Sequence, residues 1–145
     1  MPRISPSKTE YSLLLNRVSA LETLLTVTSL GNGWYSQPLP DGKVHIWKEF
    51  TTSFSGNWAQ WGSVYERAIA TGVSWPFAFS ATPEWWVAPS GAGASVLSFE
   101  YAGSPSPTQS GNVYATKPSA FSAEGSYTFF LHAVGTPYQE EATPF

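Results

Sequence analysis

The chain has 145 residues, a formal net charge of −3, 12% charged residues and 16% aromatics, so one compact domain with a short appendage is expected. So many rings with so little charge argue against an intrinsically disordered chain, and no apolar run is long enough for a membrane-spanning helix, so membrane insertion is not expected. Cysteine is absent, which removes disulfides, thiolate nucleophiles and Cys-ligated zinc, and seven scattered basic residues argue against nucleic acid as a partner.

Residues 1–10 read as a flexible lead-in, and Met1-Pro2-Arg3-Ile4-Ser5-Pro6 lacks the apolar centre of a signal peptide. Residues 11–30 read as a coiled-coil stalk. Steps of three and four connect Tyr11, Leu14, Val18, Leu21, Leu25 and Thr28, with Tyr11, Val18 and Leu25 at heptad position a. Arg17 then falls at g and Glu22 at the following e, positions that face each other across a parallel interface. Val at a with Leu at d leans towards two strands. The stretch Arg17-Val18-Ser19-Ala20-Leu21-Glu22 instead resembles the Arg-h-x-x-h-Glu trimerisation motif of short parallel three-stranded coils, and three chains are the preferred expectation. Dimer and trimer are not separated by the coil alone.

Composition switches near Gly31, where leucine nearly disappears and all seven Trp and nine Phe begin. Residues 31–138 read as an antiparallel β-sandwich or barrel of short strands broken by Gly, Pro and Ser. Gly33 to Leu39 leads into the tight-turn signal Asp41-Gly42, and Lys43 to Phe50 returns with Val44, Ile46, Lys48 and Phe50 on one face and His45, Trp47 and Glu49 on the other. Further strands are predicted at Val64–Tyr65, Val73–Phe79, Glu84–Ala88, Val96–Tyr101, Val113–Thr116 and Tyr127–Val134. Residues 139–145 read as a loosely ordered tail.

Little in this chain supports catalysis, and no catalytic residue, metal or cofactor is expected. Outside the coil and its lead-in the carboxylates are Asp41, Glu49, Glu66, Glu84, Glu100, Glu124, Glu140 and Glu141, and only Glu84 with Glu100 suggests a pair on neighbouring strands such as a glycosidase needs. His45 and His132 lack metal-ligand spacing and a third partner, and leave a shared metal undecided. No nucleophile elbow or phosphate-cradling Gly-rich loop is present. The aromatics are the remaining resource. Trp and Tyr stack on sugar rings, and Trp58, Trp61, Trp85 and Trp86 are the candidate glycan-stacking residues. Trp85 and Trp86 are strand neighbours and must point to opposite faces.

The order of these pieces resembles the C-terminal receptor-binding knobs of phage tail fibres from phages and prophages of Gram-positive bacteria. The matching residues are the heptad segment with Val18-Ser19-Ala20-Leu21-Glu22, then Gly33-Trp34-Tyr35, and Leu39-Pro40-Asp41-Gly42-Lys43 with Trp47 behind it. Trp58, Trp61 and Tyr65 follow, then Val73-Ser74-Trp75-Pro76-Phe77-Ala78-Phe79 with Pro83, and finally Phe129-Phe130-Leu131-His132-Ala133-Val134-Gly135. Lys48 stands where such knobs commonly have Gly, and Thr136-Pro137-Tyr138 extends the usual ending. The resemblance implies a homotrimer with a jelly-roll-like β-sandwich knob on a virion tail tip. It implies adhesion to a bacterial surface polysaccharide or teichoic acid at adsorption, with other phage tail components as partners. A purely structural virion tip without its own ligand, and a cell-surface polysaccharide depolymerase, are the alternatives.

Overall fold

The computed structural model describes residues 7–54, 56, 58–90, 97–118 and 125–140. It is mainly β, with one helix preceding two antiparallel sheets.

Helix α1 (Lys8–Leu25) begins earlier than the heptad reading places it. Ser7 and Glu10 form a reciprocal cap, with Ser7 N–H donating to Glu10 Oε2 at 3.1 Å and Glu10 N–H to Ser7 Oγ at 3.2 Å. This Ser-x-x-Glu box satisfies two otherwise orphaned donors and fixes the start inside the expected lead-in, of which residues 1–6 lie outside the described residues. The end also comes sooner. Thr26 turns its hydroxyl back onto the Glu22 carbonyl at 2.6 Å, and the β-branched run Thr26-Val27-Thr28 favours strand over helix. Thr28, the last heptad position, therefore opens strand β1 (Thr28–Gly31), and the helix stops short of the expected 11–30 boundary.

Gly31-Asn32-Gly33 does more than stop a helix. Asn32 (φ 52°) and Gly33 (φ 83°) both take positive φ between paired Gly31 and Trp34, the backbone of a two-residue hairpin turn that matches strand twist. It joins β1 to β2 (Trp34–Pro38), and Leu39 to Lys43 connects β2 to β3 (Val44–Phe54). Asp41 holds that turn by accepting from Lys43 N–H at 3.0 Å.

After β4 (Ala59–Trp61), β5 (Val64–Thr71), β6 (Glu84–Ser90), β7 (Ser98–Ala102), β8 (Asn112–Pro118) and β9 (Gly125–Gly135), the sheets are complete. Sheet A runs β1-β2-β3-β9-β6 and sheet B runs β4-β5-β8-β7. At the centre of sheet A, β3 and β9 pair over their full 11 residues from Val44↔Gly135 to Phe54↔Gly125. The sheets share one core, in which Ile46, Phe129, Leu131 and Ala133 of sheet A meet Ile69, Val113 and Ala115 of sheet B. Phe99 of β7 sits edge-on to Phe129 of β9 at 5.7 Å, closing the two layers.

The predicted strand Val73–Phe79 is not a ladder strand. It makes isolated bridges, Ser74↔Gln109 and Phe79↔Pro137, and lays Trp75 and Phe79 over the core. Pro76 and Pro107 carry no N–H, which prevents continuous pairing. Buried Ser110 fixes the segment instead, its Oγ accepting from Val73 N–H at 2.9 Å and donating to Gly111 O at 2.9 Å. Gly135 closes β9 because a Cβ there would come within 2.8 Å of Phe79 Cδ1 and 3.0 Å of Pro83 Cβ.

Candidate functional site

Sheet A hides one face and shows the other, and strand alternation decides which residues go where. Trp34, Ile46, Leu131 and Val87 point inward, so Tyr35, Trp47, His132 and Trp86 point outward from β2, β3, β9 and β6. Register then aligns them. Tyr35 pairs with Trp47, Trp47 with His132 and His132 with Trp86, so four adjacent strands each place one ring in a single row.

The rings are in contact along that row. Tyr35 stacks on Trp47 with centroids 6.1 Å apart and planes 22° from parallel, and Trp86 stacks on His132 at 5.0 Å and 11°. His45, two residues before Trp47 on the same face, closes the band at 4.9 Å from Trp47, 5.2 Å from His132 and 5.9 Å from Trp86. Tyr35 is 43% exposed and Trp86 38% exposed, so both ends of the row are open to solvent. Further along the same face, hydroxyls replace rings: Thr51 pairs with Thr128 at 3.2 Å and Ser53 with Ser126 at 2.9 Å. Rings beside hydroxyls suit a saccharide, which offers both an apolar ring face and hydroxyl groups.

The histidines bond to each other, His45 Nε2 to His132 Nδ1 at 3.0 Å. One imidazole donates and the other accepts, an arrangement that two protonated rings cannot make. Burial holds both below the ordinary value of 6.5, and His45 lowers His132 further by charge repulsion. As pH falls through about 6.5 the unfolded chain takes up protons before the folded pair does. The stabilisation is thus complete above that pH and is lost below it, until the folded pair itself titrates. Thermal melts should show Tm falling from neutral to mildly acidic pH, and His45→Gln with His132→Gln should flatten that slope. Among the described residues no third His, Cys, Asp or Glu joins the pair to make a metal-holding group.

The four tryptophan candidates do not gather in one place. Trp86 belongs to the row. Trp85 points to the other face, edge-on to Tyr101 at 5.2 Å and packed against the core, as neighbouring strand positions require. Trp58 is a packing residue, on Phe54 at 4.8 Å with Lys117 Nζ 4.8 Å from its ring, and its Nε1 is buried without a hydrogen-bond partner. Trp61 lies on sheet B and is 69% exposed. Trp85 and Trp86 also flank a cleft of about 400 Å³ with Tyr101, Gly103 and Pro105, where the Tyr101 hydroxyl accepts from Val87 N–H at 3.0 Å and blunts the edge of β6. Glu84 and Glu100 are not on neighbouring strands, because β6 and β7 belong to different sheets. Tyr11, Leu14, Arg17, Val18, Leu21 and Glu22 are all exposed on α1, and Leu25 is its last residue.

Tyr35, Trp47, His45 and His132 were within reach of the sequence, since alternation already put His45 and Trp47 on one face. Strand pairing was the missing step. No family model, curated protein or solved structure matches the chain.

Proposed function

We propose that this chain is the tip of a phage tail fibre, a non-enzymatic homotrimeric adhesin that holds a bacterial surface glycan. The observation that carries the reading is the outward row Tyr35, Trp47, His132 and Trp86, a stacking surface built on paired strands rather than on loops. Two further features support it. Tyr11, Leu14, Val18 and Leu21 form an exposed apolar seam on an 18-residue helix, and because most helical stability comes from packing an apolar face, such a seam gains from partner helices. The order β3-β9-β6 facing β5-β8-β7, with the chain crossing between sheets, fits a jelly-roll-like head. Three heads on one parallel coil would convert weak single-site affinity into firm attachment.

Trp86→Ala tests the site. Loss of one stacked ring is worth on the order of 1 kcal/mol, so affinity measured on an array of bacterial surface polysaccharides should fall about five- to tenfold per site, with the oligomer mass unchanged. The structural-tip reading makes the opposite prediction, because a row lying between heads would change mass and leave no glycan binding to lose.

A further inference from the structure

The outer face of sheet B carries a second concavity, unrelated to the aromatic row. Register builds it. Trp61 pairs with Val64 at the β4–β5 hairpin, Glu66 sits opposite Thr116, and Tyr114 lies between Ala68 on one side and Glu100 on the other. Alternation sends all of these outward, with the small side chains of Ala68 and Ala102 between the larger ones. The result is a groove of about 510 Å³ lined by Trp61, Val64, Glu66, Glu100, Ala102 and Tyr114.

Its charge is one-sided. The basic residues of β5 and β8, Arg67 and Lys117, occupy the opposite alternation and are engaged inside: Arg67 Cζ lies 5.3 Å over Phe54, and Lys117 Nζ 4.8 Å from Trp58 and 5.5 Å from Tyr65. Among the described residues no cation lines the groove, while two carboxylates and two aromatic rings do. An anionic polymer would meet only negative charge there. A cation is attracted both by carboxylates and by the faces of Trp and Tyr, and the flat side of a sugar ring stacks on an exposed indole.

We infer that this groove is a subsite for a saccharide bearing a free ammonium group, with the sugar ring on Trp61 and the ammonium between Glu66 and Glu100. The inference rests on the adhesin reading and adds a ligand class to it, on a different face from the aromatic row.

The test is calorimetric titration of the full chain with a glucosamine (chitosan) hexasaccharide, buffered where its amines are protonated, and with the fully N-acetylated hexasaccharide. The free-amine sugar should bind at least about tenfold more tightly. Glu66→Gln, Glu100→Gln and Trp61→Ala should each weaken it several-fold. Glu140→Gln, which removes the same charge outside the groove, should leave it unchanged, and so separates a site from general attraction to an acidic protein. Equal affinity for the two sugars, or groove variants that behave like Glu140→Gln, would overturn the proposal. Polysaccharide-array binding by a protein blind to the free-amine sugar overturns the subsite and leaves the adhesin reading standing. The converse, tight free-amine binding lost in the groove variants with no bacterial polysaccharide bound, supports the subsite and overturns the adhesin reading.

Discussion

Phe129→Ala should cost the domain about 3–5 kcal/mol, the range for truncating a fully buried Phe. Phe129 has no exposed surface, sits on the central strand β9, and meets Phe50 at 5.6 Å and Phe99 of the facing sheet at 5.7 Å. Its removal opens a void where both layers meet, and neither backbone can close it because each is fixed by its own ladder. Since domains of this kind are stable by about 5–15 kcal/mol in total, the variant should show a large fall in denaturant midpoint or fail to fold. Phe130→Ala is the matched control. The next residue on the same strand points outward and is only partly buried, so its truncation should cost a fraction of that amount.

Leu21→Asp should act on assembly and leave the head untouched. Leu21 is 59% exposed on the single chain, and surface substitutions away from packed features usually lie within about 0.5 kcal/mol. In one isolated chain an aspartate there is nearly neutral. In the parallel coil we propose it stands at a core position, where a charge has no water and no partner, and the proposed trimer should dissociate. Sedimentation should report a drop from three chains to one with the far-ultraviolet signature of the sheets retained. A variant with the parent's mass would remove α1 from the assembly interface and with it the main support for a trimer.

Much of the β character was legible because period-two alternation survives in this chain. Val44, Ile46 and Phe50 were assigned to one face and His45 and Trp47 to the other, and the structure places them so. Turn chemistry is plain in the sequence at Asp41-Gly42, and Asn32-Gly33 carries the same kind of hairpin signal, masked by its place directly after a leucine-rich helix. The Ser7-to-Glu10 cap was also present in the sequence as a spacing, but the heptad rhythm drew the boundary away from it. Val73–Phe79 misled for a different reason. Its rings are apolar because they roof the core, and the prolines that forbid a ladder outweigh the β-propensity of Val73, Trp75 and Phe79.

The aromatic row was hidden by distance along the chain. His45 and His132 are 87 positions apart, and nothing local to either says that β9 inserts between β3 and β6. Trp47 and Trp86 become parts of one surface only once that insertion is known. The same holds for the groove on sheet B, where Glu66 and Glu100 line one hollow from either side of β8, a strand that follows both in sequence.

That insertion also sets the order in which this protein can reach its final shape. Strand β9 comes after all the other described strands, yet it lies inside the five-stranded sheet between β3 and β6 and supplies Phe129, Leu131 and Ala133 to the core. Until it arrives, β3 lacks a partner on one edge and β6 has no ladder at all, while the pairings of β1-β2-β3 and of sheet B do not involve β9. Pairing Val44 with Gly135 closes a loop around most of the β-sheet region, so folding should be slow by the standard of chains with local contacts. A chain in this state exposes apolar surface and open strand edges, so self-association competes with the docking of β9.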